Sequence, residues 1–191
     1  MLAYTREKLM ESLLEVSALI NLYQGQDAAF LPRTLQWMND TEAALKQLRS
    51  PLSAMCASER GQLLAAIDGF RETDLNAREG SPRKAARAMC ALCLGRVEAS
   101  LRQRVSELDA QLSTAAEKMA QLLALASTRA PLPLPPTEPP SQWLTQVWQH
   151  LGSVAETRHL HAYLSSLLSA DDRQYLLGQA TDHLLAAMPP Q

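Results

Sequence analysis

Apolar residues recur at helical spacing along almost the whole chain. Leu9, Leu13, Val16, Ile20 and Tyr23 follow one another at steps of four, three, four and three, which predicts a helix over 5–24 with one buried face. Gly25 is the expected left-handed residue at its end. A second helix is predicted over 33–49, with Leu35, Met38, Leu45 and Leu48 on one side and Asn39, Asp40 and Thr41 as a candidate break. Ser50-Pro51 reads as a helix start, because serine caps open amides and proline is preset for the first helical position. Leu52, Met55, Leu63, Ile67 and Phe70 supply the apolar stripe that follows.

The polar, turn-like run 71–81 ends in a second such start, Ser81-Pro82. From there no proline interrupts the chain until after 128, and Leu94, Leu101, Val105, Leu108, Leu112, Ala115, Met119 and Leu122 fall on a seven-residue repeat. A helix over about 82–128 would be roughly 65–70 Å long. That exceeds any single upstream helix, so its seam needs either several short helices laid end to end or a second copy of the chain.

Residues 130–140 hold six of the eleven prolines. Proline restricts both itself and its predecessor, which makes this stretch a stiff extended linker. Beyond it lie three short apolar stripes: Leu144, Val147, Trp148 and Leu151; Leu160, Tyr163, Leu164, Leu167 and Leu168; and Leu177, Ala180 and Leu184. Ser169 and Asp172 have capping-box spacing ahead of the last. The expected fold is all-α: an elongated helical bundle over 1–129 built on one long helix, a linker at 130–140, and a three-helix module over 141–188. About fifty residues make a poor core alone, so this module should dock on the bundle or on a partner.

Composition agrees and narrows the function. Hydrophobic residues are 47% and charged residues 20%, a globular balance. A net charge of -2 argues against polyanion binding by the whole surface. The opening residues carry Arg6, Glu7, Lys8, Glu11 and Glu15, which does not suit a secretory leader, and no long uncharged apolar run suits a membrane span. Three cysteines do not build a disulfide framework and fit a reducing compartment, so a cytoplasmic setting is expected.

Charge breaks the rules in one place. Arg83, Lys84 and Arg87 stand in the first turns of the long helix, where the backbone dipole disfavours cations unless an anion is near. Arg87 and Lys84 also extend the two columns of the apolar seam. Segment 78–104 has seven basic residues against two acidic ones, Glu79 and Glu98. Arg78, Arg83, Lys84, Arg87 and Arg102 are therefore the candidate anion or nucleic-acid set. The competing reading pairs them with Glu72, Asp74 or Glu79, or with acids of the first helices. No aromatic residue lies between 71 and 142, so base stacking from this segment is not expected.

Cys90 and Cys93 form a CxxC inside a helical, apolar run, which suits core packing better than the turns that fold around zinc. His159 and His161 are two apart, about 200° around a helix, and do not chelate one metal. A helical ribonuclease or hydrolase built on them is the weakest of three readings. Trp143 and Trp148 are candidate partner-docking anchors, and Trp37 a core residue. No glycine-rich nucleotide loop, paired-acid motif or nucleophile elbow is present, so neither a cofactor nor a metal site is expected. The leading expectation is a non-enzymatic adaptor or assembly subunit that binds other proteins, with a homodimer through the long helix as its added clause. An accessory nucleic-acid-binding subunit is the alternative.

Overall fold

A computed structural model describes residues 1–69, 82–128 and 140–187, with the side chains of 140 and 184–187 left aside. Among these residues there are seven α-helices, a single 3-10 turn and no strand: α1 (Leu2–Gln24), α2 (Phe30–Gln47), α3 (Leu52–Ile67), α4 (Pro82–Ser127), α5 (Pro140–Ser153), the turn Ala155–Thr157, α6 (Arg158–Leu167) and α7 (Ala170–Ala187). The all-α expectation and the uninterrupted long helix are both observed. Phe70, Arg78, the turn at 71–81 and the proline-rich stretch up to 139 lie outside the described residues.

The chain forms two compact units, one of 5–106 and one of 1–4 with 107–191. Their boundary falls inside α4 rather than at the change of composition near 130. Residues 1–4, which include the start of α1, and residues 107–127 of α4 pack with the C-terminal helices, so the module does not stand alone.

In the first unit, Leu9, Leu13, Val16 and Leu19 of α1 are buried, with Phe30, Met38 and Leu45 of α2 and Cys56 and Leu63 of α3. Residues Met89, Cys90, Cys93, Leu94, Val97 and Leu101 of α4 are buried too. Polar bonds fix the register between helices. The Trp37 indole donates to the Ser12 carbonyl at 2.8 Å, and the Cys56 thiol donates to the Met38 carbonyl at 3.4 Å. Glu42 is buried and takes Lys46 at 2.6 Å and Arg60 at 2.9 Å. Those two cations, Lys46 first, hold its carboxyl below the usual range.

Three expectations change. Ile20 and Tyr23 are exposed and Leu19 takes the buried place, so the α1 face drifts as a 3.6-residue period must. Ile67 is likewise exposed. The left-handed residue after α1 is Gln26, with φ 54°, not Gly25. The helix ends at Gln24 as expected, and its Schellman cap closes one residue beyond Gly25: Gln26 N–H donates to the Tyr23 carbonyl and Asp27 N–H to that of Leu22. Finally, α2 passes through Asn39, Asp40 and Thr41 unbroken, with Thr41 buried.

In the second unit, Ala115, Met119, Leu122, Leu123 and Ala126 of α4 form one core with Val147, Leu151, Leu164, Leu168, Leu176 and Leu177. Thus α4 covers the three short helices, which could not bury these stripes among themselves. Ser169 makes the N-cap half of the expected capping box: its hydroxyl accepts from the Asp172 amide at 3.1 Å, and it also donates to the Asp172 carboxylate at 2.7 Å. The same carboxylate reaches the start of α1, accepting from Leu2 N–H at 2.7 Å and Ala3 N–H at 3.0 Å. One buried acid caps two helices that are 170 residues apart in sequence.

Candidate functional site

The basic start of α4 divides on inspection. Arg87 is half-buried and spent on structure. Its guanidinium donates to the carbonyls of Leu22 at 3.0 Å, Tyr23 at 2.8 Å and Asp27 at 2.8 Å. The first two belong to the last turn of α1, where they also accept the Schellman bonds from Asp27 and Gln26 N–H and where the dipole favours a cation. It also lies over the rings of Tyr23 and Phe30, at 5.3 and 5.1 Å. Arg102 pairs with Glu98 one turn earlier at 2.7 Å, and Arg96 reaches Glu59 and Gln62 of α3. Arg83 and Lys84 are exposed and, among the described residues, make no ion pair. With Tyr23, Gln24, Gln26, Arg87 and Ala88 they line a cleft of about 710 Å³ between the end of α1 and the start of α4. Of the five candidate cations, Arg83 and Lys84 are brought together with open space, Arg87 and Arg102 are committed elsewhere, and Arg78 lies outside the described residues.

A second concavity lies between α5 and α7. Leu144, Thr145 and Trp148 form one wall; Ala170 with Arg173, Gln174 and Leu177, three, four and seven positions after it, form the other; the space between is about 130 Å³. Gly178 packs beside this wall, and a Cβ there would meet the Leu144 methyl at an ordinary contact distance of 3.6 Å. Gln174 donates to the Thr145 hydroxyl at 3.5 Å across one end. Arg173 lies over the Trp148 ring at 5.4 Å, and its Nε donates to the Ser169 carbonyl at 3.4 Å. Of the two candidate docking tryptophans, Trp148 walls this cavity and Trp143 packs at the edge of the core.

The histidines do not assemble. His159 is exposed, whereas the His161 ring stacks on Trp148 with centroids 4.2 Å apart and sits directly over Gly152. The Nε2 atoms of His161 and His150 are buried without a hydrogen-bond partner. Burial, aided by nearby Arg173 and opposed by a hydrogen bond to the Trp148 backbone, lowers the His161 pKa. Cys56, Cys90 and Cys93 are fully buried free thiols. Burial pushes Cys56 and Cys90 up to about 11 and Cys93, which also meets Glu59, up to about 12. Among the described residues no group of three or more His, Cys, Asp or Glu side chains could hold a metal ion, and no helix is long and apolar enough to cross a membrane.

Sequence reasoning missed the α5–α7 cavity. On the last helix the apolar stripe read from sequence was Leu177, Ala180 and Leu184, which shares only Leu177 with this wall, and the facing wall on α5 is a tertiary fact. No protein family, curated protein or solved structure matches this chain.

Proposed function

We propose that this chain is a non-enzymatic helical adaptor, an assembly subunit that binds other proteins in the cytoplasm. The observation that carries the reading is the placement of exposed apolar side chains in neighbouring pairs. Leu64 and Ile67 on α3 are both 41% exposed, and Tyr163 and Leu167 on α6 are 45% and 41% exposed. Spacings of three and four put each pair side by side on one helix face. Single exposed leucines are ordinary, but paired ones offer a ridge on which another helix can pack. Self-association is a narrower clause, because most of the α4 seam is already buried within the chain. A homodimer would have to use other faces.

The test is co-purification from native lysate with a tagged chain, set against Leu64→Ser/Ile67→Ser, Tyr163→Ser/Leu167→Ser and the fourfold variant. The pairs being exposed, each variant should melt as the parent does, and at least one should lose a stoichiometric partner. Recovery of the same partners in the same amounts by the fourfold variant refutes the reading.

A second reading rests on Arg83 and Lys84 facing the 710 Å³ cleft: an accessory subunit that contacts nucleic-acid phosphates. It predicts duplex binding that weakens steeply with salt and disappears in Arg83→Ala/Lys84→Ala without loss of stability. Unaltered binding by that variant eliminates the site.

A further inference from the structure

We infer that the groove between α5 and α7 is a docking site for an acidic amphipathic helix of a partner protein, with one leucine-sized side chain in the cavity and a carboxylate on Arg173. The inference deepens the adaptor reading and rests on it.

Size decides the kind of occupant. Pockets for small-molecule ligands run from about 300 Å³ upward, and this one encloses about 130 Å³. That is room for one branched aliphatic side chain, the form taken by the central anchor of many protein interfaces. Leu144, Leu177 and the Trp148 ring give it apolar walls.

Charge decides the occupant's character. Arg173 is the one charged residue lining the cavity. Its place over the Trp148 ring and its bond to Ser169 hold the guanidinium in a fixed attitude. Among the described residues it makes no ion pair. The two acids beside it in sequence are directed elsewhere. Asp172 is turned to Ser169, Leu2 and Ala3, and Asp171, two residues away, sits about 200° around the helix. A guanidinium with unused donors is a fork for a carboxylate. On a docked helix, a carboxylate three or four positions from the anchor lies one turn away on the same face. A groove walled by two helices accepts a third by the same ridge packing that built it.

The experiment uses the full chain and two fluorescent, side-chain-stapled helical peptides, one of leucine, alanine and glutamate and one with lysine in place of glutamate. Anisotropy should show the glutamate peptide bound at least about tenfold more tightly than the lysine peptide. Ala170→Leu fills the cavity from an exposed position, and Arg173→Gln removes the charge; each should weaken binding by about tenfold or more. Arg158→Gln, a cation outside the groove, should bind as the parent does. Thermal melts of all variants confirm the fold. Equal affinity for the two peptides, no binding of either, or undiminished binding by Ala170→Leu overturns the site. Weakening by Ala170→Leu alone, with Arg173→Gln unaffected, overturns its acidic specificity. Failure here leaves the adaptor reading to its own test, because Leu64, Ile67, Tyr163 and Leu167 do not line this groove.

Discussion

Arg87 binds Tyr23 twice, donating to its backbone carbonyl at 2.8 Å while the guanidinium carbon lies 5.3 Å from the centre of its ring. A cation that looks misplaced at the start of one helix is the cap on the end of another. The dipole penalty at the start of α4 is offset by the dipole gain at the end of α1, and three carbonyls that each already accept one backbone N–H gain a second, charged donor.

Replacing Arg87 should therefore cost stability, whereas replacing its neighbours should not. Charged hydrogen bonds contribute about 1.5–3 kcal/mol, and partial exposure of these three puts Arg87→Ala near the lower end. Arg87→Lys should recover less than half of the loss, because an ammonium cannot fork to three carbonyls or stack on two rings. Arg83→Ala and Lys84→Ala should stay within about 0.5 kcal/mol of the parent. Urea midpoints measure this, and amide exchange around 22–30 should rise in Arg87→Ala alone.

The thiols should be silent in the folded chain. Cys56 and Cys90 have pKa values near 11 and Cys93 near 12, so little thiolate exists at pH 8, and all three sulfurs are buried. A chromogenic disulfide reagent should label none of them within minutes in buffer and all three in denaturant. Fast labelling of one thiol under native conditions contradicts this burial.

Some of this architecture could be read directly from sequence. The α4 seam was legible because its repeat runs for many turns: of the eight seam positions read, all but Leu112 are buried. Ser169 and Asp172 were legible as a capping box, because that bond is local. The role of Arg87 was not, since its acceptors are backbone carbonyls 60, 64 and 65 residues away and carry no side-chain signature. The two concavities were hidden for the same reason. Each has walls from two helices, and neither wall alone encodes the pairing.

Asp172 predicts an acid limb in stability. Burial alone would raise its pKa, but hydrogen bonds from Ser169, Ala3 and Leu2 outweigh burial and lower it. A depressed carboxyl stabilises fully above its unfolded value near 4 and loses that contribution as pH falls toward the folded value. Asp172→Asn should destabilise by about 1–3 kcal/mol at neutral pH, because buried amides lose a charged acceptor. Its stability should also change less than the parent's below about pH 4.

His161 predicts a second loss of stability on acidification, just below neutrality. Its lowered pKa means that protonation favours the unfolded chain, so stability is full above about pH 6.5 and declines as pH falls through that value until the folded pKa is passed. The cause is steric as well as electrostatic: Nε2 is buried without an acceptor for a second proton. His161→Gln should flatten urea midpoints between pH 7.5 and 5, whereas His159→Gln, at an exposed position, should leave the slope unchanged.

Gly152 and His161 should show strong coupling in a double-mutant cycle. In an open helix, Gly→Ala gains about 1 kcal/mol from backbone entropy. At Gly152, however, a Cβ would lie 2.8 Å from His161 Cε1 and 3.0 Å from Nε2. The ring has no simple retreat, because its face is against Trp148. Gly152→Ala should therefore be destabilising by about 1–3 kcal/mol, as overpacking is elsewhere. In a His161→Ala background the obstacle is gone, and the same change should stabilise by the ordinary propensity gain. The sign reversal between backgrounds, read from thermal or urea unfolding, is the expected outcome. If Gly152→Ala stabilises the parent, the close approach of the imidazole to the α5 backbone is wrong.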